Sequence, residues 1–126
     1  MENEKKPTII RLTKEFTFEA AHALEGYDGL CREIHGHSYR LFVTVKGTPC
    51  ADESNPKFGM VMDFGELKRI VNEQILSRLD HAFVMRRTAE STRVAEQIGC
   101  RFGRIVLVDY QPTCENCLLY TSDAAD

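Results

Sequence analysis

Two stretches of the chain alternate apolar and polar residues, as a β-strand does when one of its faces is buried. The first, TIIRLTKEFTFEAAH, is rich in β-branched and aromatic residues and predicts a strand over residues 8–22. The second, HSYRLFVTVKG, predicts a strand that follows the glycine-containing loop EGYDGLCRE. Because strand side chains alternate in direction, the expected shared faces are Phe16, Phe18, Ala20 and His22 in the first strand, and Tyr39, Leu41, Val43 and Val45 in the second.

Apolar residues then recur at helical spacing in MDFGELKRIVNEQILSRLDH, where they are Leu67, Ile70, Val71, Ile75 and Leu79. Asp63 is a good N-cap, and Glu66 three positions later completes a D-x-x-E variant of the capping box. A shorter helix is predicted over residues 90–98, with Gly99 as its C-cap, followed by a short buried strand in RIVLVDY. The segment PTCEN then predicts the start of another helix, with a threonine cap and a glutamate in the first turn.

Length and composition suit one folded domain, since the chain has 126 residues and a hydrophobic fraction of 43%. The formal net charge of −3 does not suit a nucleic-acid-binding surface, and the apolar runs are too short to span a bilayer. The N-terminal MENEKKPTII mixes charges of both signs and lacks the apolar core of a signal peptide. We therefore expect a cytoplasmic protein.

The five cysteines are odd in number and irregularly spaced, so reduced thiols are expected rather than a disulfide framework. Cys114 and Cys117 form a C-x-x-C, which is a weak signal without a second pair at zinc-ribbon spacing. Cys31 lies four residues before His35, on the loop that enters the second strand. A thiol beside a metal or a basic group can act as a thiolate base or nucleophile, while the alternatives are a buried filler or a fourth metal ligand.

Two of the four histidines, His35 and His37, form an H-x-H motif whose side chains point the same way on a strand. If the two predicted strands pair antiparallel, His22 meets both on one face of the sheet. Three neutral imidazoles suit Zn²⁺ with an open fourth position. Copper, nickel and ferrous iron also accept nitrogen ligands, although no carboxylate obviously completes an iron facial triad. The alternative is a strand that carries histidines without binding a metal.

The dipeptide Asp80–His81 closes the long predicted helix. A carboxylate beside an imidazole can fix the tautomer of the ring and raise its basicity, which suits proton transfer. A polar cap at the end of the helix is the alternative role.

Five stretches, in the order FTFEAAHAL, CREIHGHSY, GMVMDFGELK, LDHAFV and PTCEN, resemble the 6-pyruvoyl-tetrahydropterin synthase family and cover most of residues 14–116. The three-residue gap between Cys31 and His35 is similar to that of the queuosine-pathway branch. This branch converts 7,8-dihydroneopterin triphosphate to 6-carboxy-tetrahydropterin and releases acetaldehyde and triphosphate. The resemblance implies an α+β tunnelling fold, in which an antiparallel sheet carries helices on one face. It also implies a homo-oligomer with active sites between subunits.

The resemblance implies a Zn²⁺ ion held by His22, His35 and His37, which acts as a Lewis acid on the hydroxyl oxygens of the substrate side chain. Its implied proton carriers are Cys31, as the base, and His81, oriented by Asp80. Thr113 resembles a position close to the pterin ring. Three arginines are candidates for the triphosphate, although a solvated surface role is expected for each: Arg32, Arg86 and Arg87.

The C-terminal end departs from the family pattern. After PTCEN the family continues with a helix and two strands, one of which normally supplies a glutamate for the pterin ring, and no position here matches it. The last ten residues, CLLYTSDAAD, match the in-frame translation of a transposase adaptor used in preparing DNA libraries. We therefore expect an incomplete tetrahydropterin-synthase-like domain over residues 1–116 and a non-native tail over 117–126. The absence of the helix and the two strands would remove about a third of the core of a small domain, and such domains are stable by only about 5–15 kcal/mol. We therefore expect the chain as written to be insoluble or partly unfolded, and inactive.

Three other functions remain open from the sequence. A 6-pyruvoyl-tetrahydropterin synthase would release triphosphate and keep all side-chain carbons. A cupin-like iron oxygenase would need a further glutamate and histidine on strands, whereas His81 lies at a predicted helix end. A non-enzymatic metal-binding module is the third alternative.

Overall fold

The computed structural model describes residues 8–114 and has an α+β architecture. The elements are β1 (Ile10–His22), β2 (His35–Gly47), α1 (Phe64–Val71), a π-helical segment (Asn72–Leu76), α2 (Ser77–Leu79), β3 (Ala82–Arg86), α3 (Ala89–Ile98) and β4 (Ile105–Val108). A short 3₁₀ turn, Leu30–Arg32, lies in the loop between β1 and β2.

The four strands of the described residues form one sheet in the order β2-β1-β3-β4. β1 and β2 pair antiparallel along their whole length, from Ile10 opposite Gly47 to His22 opposite His35, as predicted. β3 joins β1 in parallel, and β4 joins β3 in parallel. The sheet is therefore mixed rather than antiparallel throughout, because β3 and β4 each follow a helix that carries the chain back before the next strand begins.

The core lies between the sheet and the continuous helical stretch formed by α1, the π-helical segment and α2. Burial alternates along β1 and β2, so the faces predicted from the sequence are those that the fold covers. Two clusters of buried side chains fill the space: Phe16, Leu67 and Val71 in one, and Phe18, Ala20, Leu79, Ala82 and Val84 in the other. The end of β1 that carries His22 is thereby fixed against the core.

The long helix begins at the predicted cap, because the Asp63 side chain accepts a hydrogen bond of 2.9 Å from the Gly65 N–H. The predicted capping box does not form, since Glu66 pairs with Arg69 on the next turn instead. A capping box does form at α3, where Thr88 and Ser91 exchange hydrogen bonds.

Most predicted elements are present with small shifts of their ends. The first strand begins at Ile10 rather than at residue 8, and the second helix spans Ala89–Ile98 with Gly99 as its C-cap. β4 is half-buried rather than buried, and β3 was not predicted. The glutamate of the helix start predicted in PTCEN lies outside the described residues. Among residues 8–114, the helices are all too short or too polar to cross a membrane.

Candidate metal centre

Three histidine side chains converge at the paired ends of β1 and β2. His22 lies directly opposite His35, and Ala20 lies opposite His37, so the period of two puts all three rings on one face. The Nε2 atom of His22 is 2.9 Å from Nε2 of His35 and 3.2 Å from Nε2 of His37. The convergence expected from the antiparallel pairing is therefore present.

Main-chain carbonyls fix the tautomers of two of the rings. The Nδ1–H of His22 donates to the Pro112 carbonyl at 2.5 Å, and the Nδ1–H of His35 donates to the Glu33 carbonyl at 2.7 Å. Because a carbonyl oxygen only accepts, each neutral ring carries its proton on Nδ1 and a lone pair on Nε2. The two lone pairs then face each other, an arrangement that is repulsive unless a cation lies between them.

The arrangement fits a metal ion in donor type and spacing. Nitrogens on a zinc tetrahedron with Zn–N bonds of about 2.0–2.1 Å stand about 3.4 Å apart. The separations of 2.9 and 3.2 Å from His22 are shorter than that value by about half an ångström or less. Histidine ligands commonly donate their second ring N–H to a carbonyl, as His22 and His35 do here.

Burial favours the neutral form of the central ring, since the His22 side chain is only 2% exposed. Desolvation lowers its pKa, with a smaller lowering from His35 and His37 that the hydrogen bond to Pro112 opposes. A neutral imidazole is the form that binds a metal. His22 is therefore held in a ligand-competent state by its surroundings.

Cys31 lies in the 3₁₀ turn that precedes β2, and its side chain is a half-buried free thiol. The carbonyl of Cys31 accepts a hydrogen bond of 3.0 Å from the Leu24 N–H, which closes the loop between β1 and β2. The thiol is therefore carried on a short loop whose two ends lead to His22 and His35.

Asp80 and His81 lie between α2 and β3 at the side of β1. One Asp80 oxygen accepts the Glu19 N–H at 3.0 Å and lies 3.1 Å from His81 Nδ1. The hydrogen bond from Glu19 lowers the pKa of Asp80 most, and the His81 side chain lowers it further. His81 adopts a left-handed backbone with φ of 64°, and 76% of its side chain is exposed. The pair is thus preformed, with its ring directed to solvent, and is not hydrogen-bonded to the histidine trio.

The segment from Gln111 to Cys114 also reaches the trio, although it lies some 75 to 90 residues away in sequence. Pro112 is fully buried and provides the carbonyl for His22, and the Cys114 Sγ lies 3.3 Å from His37 Nε2. Thr113, the predicted pterin contact, is half-buried between them and donates its N–H to the Gln111 carbonyl. Neither Pro112 nor Cys114 was predicted at the centre. The motif PTCEN drew attention to this segment but did not predict its contacts with His22 and His37.

Two of the arginines considered for triphosphate have acidic partners at the surface. Arg32 pairs with Glu33 at 3.4 Å, and Arg87 pairs with Asp109 at 3.3 Å. Both side chains are more than half exposed, in line with the solvated role expected for them.

The fold and the centre define an α+β protein with three histidines gathered at one end of a mixed sheet. A sequence model of the 6-pyruvoyl tetrahydropterin synthase family matches residues 11–125, so the chain belongs to this family. Its α+β architecture is that of the tunnelling fold.

Relatives with assigned names share part of their length with the chain. A 6-carboxy-5,6,7,8-tetrahydropterin synthase of Haemophilus influenzae is 44% identical over 82 residues, which is 65% of this chain and 57% of the relative. The enzyme of the same name from Rickettsia felis is 29% identical over 109 residues, or 86% of this chain and 74% of the relative. The chain thus matches little more than half the length of the Haemophilus relative.

A solved structure has a similar fold. The crystal structure of uncharacterized protein WS1659 from Wolinella succinogenes matches with a TM-score of 0.64 and 20% sequence identity. The match covers 94% of this chain and 83% of that chain. At this identity the likeness is one of fold.

Proposed function

We propose that the protein is a zinc-dependent 6-carboxy-tetrahydropterin synthase of 7-deazaguanine (queuosine) biosynthesis. It converts 7,8-dihydroneopterin triphosphate to 6-carboxy-tetrahydropterin and releases acetaldehyde and triphosphate. The observation that carries the proposal is the convergence of three imidazole Nε2 atoms in a member of the tetrahydropterin synthase family. The names of the Haemophilus and Rickettsia relatives support the 6-carboxy branch. We further propose a cytoplasmic homo-oligomer with active sites between its subunits.

His22, His35 and His37 would hold the Zn²⁺ through Nε2, since the Nδ1 atoms of the first two donate to carbonyls. When bound, the ion supplies Lewis acidity to the hydroxyl oxygens of the substrate side chain, so that neighbouring C–H protons become removable. The buried imidazole of His22 fixes the centre against the sheet, while the half-buried His35 and His37 lie on its open side.

Two proton carriers are needed because triphosphate elimination and side-chain cleavage move protons at adjacent carbons. Cys31 takes one of these protons as the thiolate base. Asp80 accepts from His81 Nδ1, which leaves the Nε2 of that ring to receive or deliver the other proton. Thr113 contacts the pterin ring in this proposal.

Product analysis tests the proposed reaction. The full-length enzyme is incubated with Zn²⁺ and 7,8-dihydroneopterin triphosphate, and acetaldehyde, triphosphate and the pterin product are measured. Acetaldehyde and triphosphate in equal amounts are expected. Triphosphate without acetaldehyde would instead identify a 6-pyruvoyl-tetrahydropterin synthase, and the absence of both products would leave a metal-binding module.

A pair of cysteine variants tests the proposed base. Cys31→Ala is expected to lower kcat by about 10²- to 10⁴-fold, the usual contribution of a general base. Cys100→Ala is the control, because that thiol is exposed and contacts only the Gln97 carbonyl among the described hydrogen bonds. Equal activities of the two variants would exclude Cys31 as the base.

A further inference from the structure

Cys114 is a second thiol at the centre that the proposed reaction does not use. Its Sγ lies 3.3 Å from His37 Nε2, and Sγ, His37 and His22 offer ligand atoms that all lie within 4.8 Å of one another. His22 is nearly completely buried, and its Nε2 lone pair points into the same space. The thiol therefore borders the point at which the imidazole lone pairs converge.

The three residues before Cys114 are held in place by hydrogen bonds. The Gln111 side-chain NH₂ donates to the Glu25 carbonyl at 3.0 Å, and the buried Pro112 gives its carbonyl to His22. The Thr113 N–H donates to the Gln111 carbonyl at 3.0 Å. The segment 111–114 thus orients the His22 ring through the Pro112 carbonyl and places the Cys114 sulfur next to His37.

The spacing of the sulfur atom suits a zinc ligand. With Zn–S of about 2.3 Å and Zn–N of about 2.0–2.1 Å, sulfur and nitrogen on a tetrahedron stand about 3.6 Å apart. The observed separation of Sγ from His37 Nε2 is 3.3 Å. The deviation is similar to that between the imidazole nitrogens, and His22, His37 and Cys114 together form a group whose ligand atoms are close enough to hold one metal ion.

We propose that Cys114 is the fourth ligand of the metal ion bound by His22, His35 and His37, an inference that rests on the proposed metal centre. Its thiol would release its proton to solvent and bind the ion as a thiolate. With four protein ligands the shell would be closed in the resting protein, so that a substrate oxygen would reach the ion only by displacing the sulfur. Because Cys114 is exposed, it is the ligand that is most easily displaced.

Cobalt substitution gives a direct test on the full chain. Co²⁺ is added to metal-free protein, and absorption is recorded for the unsubstituted chain and for Cys114→Ser, Cys100→Ser and Cys31→Ser. A near-ultraviolet thiolate-to-cobalt charge-transfer band is expected in all but Cys114→Ser. The circular dichroism of each variant verifies that the substitution has not changed the fold.

The outcomes separate this inference from the proposed metal centre. If Co²⁺ binds and the band is absent from every protein or persists in Cys114→Ser, the inference is wrong while the three-histidine centre stands. If the band is lost in Cys31→Ser instead, that cysteine is the sulfur ligand and the inference is again wrong. If no Co²⁺ binds to the unsubstituted chain, both the centre and the fourth ligand are refuted.

Thiol alkylation provides a second measurement that does not require a variant. The native protein is treated with iodoacetamide with and without Zn²⁺, and each cysteine is followed by mass spectrometry. Zn²⁺ is expected to slow the alkylation of Cys114, because a sulfur atom bound to the ion is less available as a nucleophile. The exposed Cys100 is the internal control, and equal rates at Cys114 with and without Zn²⁺ would contradict the proposal.

Discussion

At the scale of single residues, two of the three rings at the centre depend on a main-chain carbonyl for their orientation. The Glu33 carbonyl lies two residues before His35, while the Pro112 carbonyl comes from a segment 90 residues after His22. Both oxygens accept from Nδ1 and so direct Nε2 to the common point. The donor set is therefore built by the main chain as much as by the histidines themselves.

Removal of one ring is expected to abolish tight zinc binding. His35→Ala takes one of the three Nε2 donors away, and the affinity for Zn²⁺ should fall by more than the 10- to 100-fold that is typical of losing an outer contact. Isothermal titration with Zn²⁺ measures the change. His81→Ala is the matched control, because this histidine pairs with Asp80 outside the trio and should leave the affinity unchanged.

The carboxylate of Asp80 is expected to make stability depend on pH. Its pKa is lowered below the ordinary value of 3.8 by the Glu19 N–H and then by His81. A depressed folded-state pKa means that the stabilisation is present above about pH 5 and is lost as the pH falls through the lowered value. Asp80→Asn keeps an acceptor oxygen but removes the charge, so it should have a lower Tm than the unsubstituted chain at pH 7.

The same comparison at acid pH checks the cause. The Tm difference between Asp80→Asn and the unsubstituted chain should disappear below the folded-state pKa, where both side chains are neutral. Asp109→Asn is the control, since its carboxylate only meets Arg87 at the surface and such pairs contribute little. A Tm difference for Asp80→Asn that is independent of pH would show that the charge is not the stabilising feature.

The positions of the trio could be predicted from the sequence because they follow from local alternation and one antiparallel pairing. His22, His35 and His37 needed only the period of two and a short loop. The contacts of Pro112 and Cys114 could not be predicted, since they depend on where the chain returns after β3, α3 and β4. No local pattern encodes such a return.

At the scale of elements, α3 depends on a hydrogen-bond network at its first turn. Ser91 is 1% exposed, its Oγ donates to the Arg86 carbonyl at 2.6 Å, and it accepts the Thr88 N–H at 2.8 Å. Thr88 accepts the Ser91 N–H in return at 2.9 Å. This network joins the end of β3 to the start of α3 and therefore sets the crossover that leads to β4.

Loss of the Ser91 hydroxyl is expected to destabilise the protein by about 1–3 kcal/mol, because it leaves the part-buried Arg86 carbonyl and Thr88 N–H without their partner. Urea unfolding of Ser91→Ala followed by circular dichroism measures the change. Ser77→Ala is the control, since that hydroxyl bonds the Glu73 carbonyl on an exposed helix surface and should change stability by no more than about 0.5 kcal/mol. Similar losses in both variants would contradict the role given to the network.

The sequence predicted element types better than their junctions. The apolar repeat of the long helix and the end of the next helix at Gly99 were local signals and proved correct. β3 was missed because AFVMR is only five residues long and comes directly after the helix, with no alternation to separate it. The capping box was assigned to Glu66, but Arg69 offers that carboxylate a stronger, charged partner one turn later.

At the scale of the whole molecule, the sheet has one face covered by the long helix and one face that the described residues leave exposed. Phe18 lies on the covered face, is 3% exposed and stacks on Tyr39 with ring centroids 4.9 Å apart. Phe42 lies on the opposite face, is 56% exposed and has the Arg40 guanidinium 5.5 Å from its ring centroid. The two phenylalanines therefore allow the contributions of the covered face and the exposed face to stability to be compared.

Truncation of these rings is expected to have unequal effects on the free energy of unfolding. Phe18→Ala should cost about 3–5 kcal/mol, because it removes a buried ring and leaves a cavity next to the residues that anchor His22. Phe42→Ala should cost no more than about 1 kcal/mol, the size of an exposed cation–π contact. Chemical unfolding of both variants in urea measures the difference.

Since a small domain is stable by only about 5–15 kcal/mol, Phe18→Ala should also weaken Zn²⁺ binding by populating unfolded chains, whereas Phe42→Ala should not. Equal destabilisation by the two substitutions would mean that the exposed face is also packed in solution, as it would be against a second copy of the chain.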